Sequence, residues 1–228
     1  MINDIKLGIK IMRYGHGWMI SIILGGLFLV LGIVIDILNM TSGAHGNIAG
    51  GFILLYTCLL PAQALFSVNA SNMVLSSPVR KKMQTSIPAA ITVGSMLALY
   101  IVADLILLIM SCIYPDRFPI ASRMVVVQIV FAIFVIIYFS IAFKCFSIST
   151  IMFIICFVFF TRSNLLMGTS WIYTSAFFDK GIWSFVLVSV LGLPIIAAAG
   201  FLGYLLMLLV YKVPVSKYSQ NAYLRKEM

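Results

Sequence analysis

The chain has 228 residues, of which 63% are hydrophobic and 9% charged, with a formal net charge of +9. Soluble domains are about half apolar and about a quarter charged, so water is excluded as the solvent for most of this chain. At about 20 apolar residues per crossing the length holds about six spans in one membrane domain, and the basic residues lie between apolar segments rather than in a patch with interleaved aromatics, which argues against a nucleic-acid partner.

Residues 1–16 place Ile2, Ile5, Ile9 and Met12 at helical spacing, with Lys6, Lys10 and Arg13 displaced around the axis. This predicts an amphipathic helix on the inner membrane surface, its cations meeting anionic membrane lipid. A short tail that only supplies positive charge is the alternative.

Six apolar segments follow, at 17–38, 48–68, 87–113, 121–143, 147–167 and 182–211. They predict an all-α, polytopic (multi-pass) membrane protein with a six-helix domain over 17–211. The first segment is read as a span, because it lacks a convincing small-residue cleavage site for a secretory leader. The last is long for one perpendicular crossing, so it tilts, extends beyond the membrane, or bends near Gly192 and Pro194.

Charge sets the orientation. Lys6, Lys10, Arg13, Arg80, Lys81, Lys82, Lys144, Lys212, Lys217, Arg225 and Lys226 fall on one side, and Arg117, Arg123, Arg162 and Lys180 on the other. Short cytoplasmic loops are enriched in Lys and Arg, so both termini are expected in the cytoplasm, with residues 212–228 as a basic tail. The outer loops at 39–43 and 114–119 read as short turns punctuated by Gly and Pro. The tight turn at Lys144, Cys145 and Phe146 makes the fourth and fifth spans antiparallel neighbours.

The cytoplasmic stretch 69–86 is long enough for its own helix. Met73, Val74 and Leu75 are poor choices for a loop facing only water but suit a short helix docking into a groove on a partner, after which Arg80, Lys81 and Lys82 return the chain to the membrane surface. The bland alternative is an ordinary positive-inside loop.

A surface helix before the first span, a cytoplasmic helix after the second ending in Leu75-Ser-Ser-Pro-Val-Arg-Lys-Lys82, and six spans with both ends inside resemble the permease subunit of ABC-2-type exporters. The resemblance implies that 69–86 is a coupling helix seated on a separate ATP-binding cassette subunit, which holds ATP and Mg. It implies a second permease as well, either an identical copy or a related chain, and residence in a cell membrane, the bacterial cytoplasmic one. It also implies a re-entrant outer segment, for which 164–181, with Trp171, Tyr173, Phe177 and Phe178, is the candidate; an aromatic anchoring belt is the other reading.

Charges within spans are costly and therefore functional candidates. Counting from the inner ends, Asp104 and Arg162 lie about 20 to 26 Å up, with Asp36 slightly higher. Arg162 is expected to pair with Asp104, or else with Asp36, as an outer gate; the alternative is that each charge snorkels to the headgroups by itself. Ser21, Gly25 and Gly32 in the first span, and Ala199 and Gly203 in the last, mark close helix contacts.

No phosphate-cradling GxxxxGK[ST] loop occurs, and no cofactor is expected on this chain. Cys58, Cys112, Cys145 and Cys156 are scattered, and His16 and His45 sit at opposite ends of the first span, so neither a metal centre nor a protease is expected. The expectation is a non-catalytic permease for a hydrophobic or amphipathic substrate, such as an antimicrobial peptide, a drug or a lipid-like compound. The rivals are an ion-coupled carrier using Asp36 and Asp104 and a membrane scaffold that moves no cargo.

Overall fold

The computed structural model describes residues 18–42, 49–58, 72–142 and 176–214, together with residues 6, 8–11, 13, 65, 144, 151, 154 and 155. These residues form helices α1 (Trp18–Ser42), α2 (Ala49–Tyr56), α3 (Asn72–Leu75), α4 (Arg80–Gln84), α5 (Ser86–Ile113), α6 (Phe118–Ala142) and α7 (Ile182–Tyr211), with 3-10 turns at Pro115–Arg117 and Phe178–Lys180. No strand is present among the described residues. Four helical stretches are long and apolar enough to cross a membrane: Trp18–Ser42, Arg80–Ile113, Pro115–Ala142 and Ile182–Tyr211. The remaining expected crossings, at 48–68 and 147–167, lie largely outside the described residues, α2 being the described part of the former.

Helix α6 is the centre of the bundle, with 61% of its apolar window buried, against 11% for α1 at the periphery. Its sequence is apolar all round, as a helix enclosed by neighbours requires. Its most extensive contact is with α7. The buried residues of α7 recur every three or four positions, at Ser184, Phe185, Val188, Gly192, Ile196, Ala199, Gly203 and Met207. The opposite face, including Trp183, Val190, Phe201 and Leu209, is exposed and apolar, as a lipid-facing surface is.

Contacts fix the relative directions. The starts of α6 and α7 meet where Phe118 packs edge-on against Phe185, with ring centroids 6.2 Å apart, and their ends meet where Gly203 lies against Ser140 and Ile136. These two helices are therefore parallel. Helix α5 runs antiparallel to α7, since Val93 faces Gly200 while Tyr100 faces Gly192. Helices α1 and α2 are antiparallel, with Gly32 against Leu54 and Asp36 against Gly50. The small residues Gly25, Gly32, Ala199 and Gly203 are buried within this one chain, where the absence of a side chain brings backbones together.

Two local readings change. Asn39 to Ser42 belong to α1 rather than to a turn; Asn39 and Met40 are buried, and the hydroxyls of Thr41 and Ser42 donate to the carbonyls of Leu38 and Asn39, satisfying acceptors at the helix end. Phe118 and Pro119 already belong to α6, where a proline in the first turn lacks only an N–H that has no intrahelical partner. The last span is one helix of 30 residues with Pro194 inside it, about 45 Å long.

The glycines supply a stability test. A Cβ at Gly203 would lie 2.7 Å from Ser140 Oγ and 2.8 Å from Ile136 Cγ2, whereas one at Gly94 meets nothing within 4 Å. Gly203→Ala is expected to destabilise by about 1–3 kcal/mol and Gly94→Ala to stabilise by about 0.5–1 kcal/mol. Thermal unfolding of the two variants in one detergent checks the opposite signs.

Candidate functional site

Two clusters of buried polar groups lie in the half of the bundle nearest the starts of α6 and α7. In the first, Asp36 of α1 is 1% exposed, and its carboxyl lies against Gly50. The Gly51 N–H faces it from the first described turn of α2, where backbone donors lack intrahelical partners. Gly51 itself lies against the Gln128 amide of α6, and Gln128 is fully buried. Neither carboxyl oxygen of Asp36 nor either amide atom of Gln128 closes a hydrogen bond. Two adjacent glycines thus let one polar side chain from each flanking helix reach the α2 backbone.

The second cluster joins α5 to α7. Tyr100, fully buried, donates from its hydroxyl to the Ser189 carbonyl at 3.2 Å. That hydroxyl occupies the space where a side chain at position 192 would be, so glycine is required there. Asp104, one turn along α5, has the Ser189 and Tyr100 hydroxyls facing its carboxyl. Asp104 Oδ1 and Ser189 Oγ are nevertheless buried without a hydrogen bond.

Arg162, expected to pair with one of these acids, lies outside the described residues. Neither Asp36 nor Asp104 forms an ion pair with a described Lys or Arg. The ion pair that the structure does hold at this end is Arg123 to Asp179, 3.2 Å apart, joining the start of α6 to the turn before α7. Beside it Ser122 and Ser184 hydroxyls lie 3.2 Å apart, both buried. These partners sit about sixty positions apart in sequence, and only the parallel docking of α6 on α7 brings them together. Of the segment 164–181, residues 176–181 are described: Phe178 is buried, Phe177 and Phe178 meet edge-on, and Gly181 turns into α7 with φ 66°. The aromatics Trp171 and Tyr173 lie outside them.

The opposite end is basic. Lys144, 1% exposed, donates to the carbonyls of Tyr211 at 3.3 Å and Val213 at 2.9 Å, with its ammonium 5.4 Å from the Tyr211 ring centre. A cation at the carboxyl end of a helix meets the negative end of its dipole. Sequence reading counts Lys144 only as loop charge; that it clamps α7 depends on the two helices ending at the same level.

At this end α3 and α4 pack on the base of α5. Val74, 7% exposed, joins Leu65, Met83 and Ile87 in a small core against which Ile11, Trp18, Val79 and Ile91 pack. Val74 therefore faces inward rather than toward a partner, because the chain turns at Ser77 and Pro78 and folds α4 back over α3. Leu75 is half-buried, Arg80 partly buried, and Lys81 and Lys82 exposed; the Met73 side chain lies outside the described residues. The amino-terminal stretch meets the same place: Gly8 packs against Ile87 and Ile91, while Lys6, Ile9, Lys10 and Arg13 are exposed. The face docked on the bundle is that of Gly8 and Ile11, and Ile9 points away.

Among the described residues no group of three or more His, Cys, Asp or Glu could hold a metal ion, and Cys58 and Cys112 are free thiols.

Removing the Lys144 cation by Lys144→Met should destabilise by about 1.5–3 kcal/mol, the range for hydrogen bonds from a charged group. Asp179 is 65% exposed, so Asp179→Ala should cost no more than about 1 kcal/mol. Unfolding of both variants in detergent measures the order. The chain matches no protein-family model, no curated protein and no solved structure.

Proposed function

We propose that the chain is the membrane permease half of an ATP-driven exporter of the ABC-2 type, working with a separate ATP-binding cassette subunit and a second permease. The observation that carries this reading is the helical cap of α3 and α4 on the base of α5. Val74 and Met83 pack against Ile87 at the start of α5, so a force applied to the cap reaches a membrane-spanning helix through close-packed side chains. Packed interiors pass on displacement rather than absorb it. The exposed side of the cap, with Lys81 and Lys82 beside the half-buried Leu75, is the surface offered to a partner.

Six crossings with both termini on the cytoplasmic side accord with the helix directions. Helix α6 ends at the basic end and α7 begins at the opposite one, the relation that an added crossing between them would produce. Helix α2 likewise begins at the level of Asp36, while Val74 of α3 lies at the level of Ile87. The basic end carries Arg80, Lys81, Lys82, Lys144 and Lys212 without an acidic residue among the described positions, whereas the other mixes Asp116, Arg117, Arg123, Asp179 and Lys180. The positive-inside rule places the first end in the cytoplasm, and the reading as a bacterial cytoplasmic-membrane protein follows the resemblance.

The cargo is read as hydrophobic or amphipathic, a peptide, drug or lipid-like compound, because the described spans present few fixed charges. ATP and Mg belong to the partner subunit, and this chain performs no catalysis. The second reading, an ion-coupled carrier, draws on Asp36, which is buried, and Asp104, which is partly buried, acids without a cationic partner among the described residues.

Co-expression with the ATP-binding protein encoded beside this chain tests the proposal. The exporter reading expects a detergent-stable complex with ATPase activity, weakened about tenfold or more by Leu75→Asp or by Lys81→Glu with Lys82→Glu. Val74→Asp should instead reduce folded yield, since that side chain is buried. No complex, together with ion-driven uptake by the chain alone in liposomes, would establish the carrier. A complex without movement of cargo would leave a scaffold.

A further inference from the structure

The acid of the α5–α7 cluster has a setting that structure alone does not explain. Asp104 lies nine residues before the end of α5, about 13 Å from it, within a stretch that is apolar on every other face. An ionised carboxylate there is costly without a compensating charge. Among the described residues no Lys or Arg provides one. What faces it is a set of neutral oxygens: the Ser189 hydroxyl and the Tyr100 phenol, with the Ser189 carbonyl already within 3.2 Å of that phenol. No sulfur and no ring nitrogen takes part. Asp104 Oδ1 and Ser189 Oγ are both buried and neither closes a hydrogen bond, although they face one another. A serine hydroxyl can rotate to donate to a nearby carboxylate; with that bond not closed, both oxygens keep lone pairs for another partner.

We propose that Asp104, Ser189 and Tyr100 form a binding site for a monovalent hard cation, sodium, between α5 and α7. The ligands are Asp104 Oδ1, Ser189 Oγ, the Ser189 carbonyl oxygen and Tyr100 Oη. Hard cations take oxygen ligands from carboxylates, carbonyls and hydroxyls, and an acidic residue within a span marks an ion pathway by default. A single carboxylate balances one positive charge; a divalent ion would leave net charge in the membrane. Gly192 keeps the space open for the Tyr100 hydroxyl. Pro194 cannot donate to the Val190 carbonyl four residues earlier, next along the chain to Ser189, within a helix that runs unbroken from Ile182 to Tyr211. Because the ligands come from two helices, a bound ion ties α5 to α7. The site does not rest on the exporter reading and is compatible with either driving force.

The full-length chain, reconstituted in lipid nanodiscs without a partner, provides the test. Radiolabelled sodium is expected to bind saturably at one ion per chain, and unlabelled sodium, but not choline, should displace it. The melting temperature should rise in sodium chloride relative to choline chloride. Asp104→Asn should abolish both effects, and Ser189→Ala and Tyr100→Phe should each weaken binding about tenfold or more, the loss of one ligand. Asp116→Asn, on the exposed turn before α6, should bind as the parent does. Asp104→Asn removes a charge from within a span and is expected to melt cooperatively at or above the parent's sodium-free temperature, which separates loss of a site from loss of folding.

Absence of saturable sodium binding to a cooperatively melting chain would overturn the proposal, and so would binding that survives Asp104→Asn. A stability change that follows pH and ignores sodium would also overturn it, leaving Asp104 as a carrier of a proton only. Failure to assemble with the ATP-binding protein while sodium still binds would remove the exporter reading and leave the site. Assembly without sodium binding would do the reverse.

Discussion

The parallel packing of α6 against α7 is the interaction on which the rest of the structure depends. It runs from the Phe118–Phe185 contact and the Arg123–Asp179 pair at one end to Gly203 against Ser140, and the Lys144 clamp on the α7 carbonyls, at the other. In a bilayer the apolar side chains gain nothing from leaving one another's company for lipid, so helices associate through close fit and internal polar contacts. Both are present here. Glycine at position 203 lets α6 approach the α7 backbone, and the polar contacts are concentrated at the two ends, where they pin the register.

That pairing places α5 as well. With α6 and α7 held together, α5 lies along them in the opposite direction, meeting Gly200 through Val93 and Gly192 through Tyr100. The base of α5 then becomes the support for α3, α4 and the start of α1, through Ile87 and Ile91. The break at Thr85, where the backbone leaves helical geometry with φ −134° and ψ −79°, separates the cap from the span while keeping the two in contact. The same arrangement sets Tyr100 and Asp104 against Ser189 farther along, so the cap and the polar seam are two ends of one helix.

Buried polar groups divide into those whose hydrogen bonds are complete and those whose bonds are not. Lys144, Ser122, Ser140 and Ser184 all find partners inside the protein, Ser140 within its own helix and the other three also across to a neighbouring element. Asp36, Asp104, Gln128 and Ser189 have buried atoms without one, and so do Gln84, Thr92 and Ser111. A buried polar atom left without a bond costs about 1–3 kcal/mol, and among the described residues such atoms occur toward both ends of the bundle, from Gln84 and Thr92 near the basic end to Asp36 and Ser111 at the other.

Much of the architecture is legible in the residues themselves. Apolar runs of span length at 87–113 and 182–211 become α5 and α7 with ends that agree within a residue, because the length and hydropathy of a span depend on the bilayer and hardly on neighbouring helices. The contact roles of Gly25, Gly32, Ala199 and Gly203 are legible for a similar reason: small residues at helical spacing have few other uses in a span. Tertiary structure decided the rest. Periodicity marks a helix but carries no information about which helix lies beside it, so neither the Arg123–Asp179 pair nor the Lys144 clamp could be read from spacing. Val74 looks like a presented side chain in sequence and is buried, because whether a short amphipathic helix faces a partner or its own bundle depends on where the following turn sends the chain. Asp104 is conspicuous in sequence as a charge within a span, but that its neighbours are the oxygens of Tyr100 and Ser189 follows only from α5 lying antiparallel to α7.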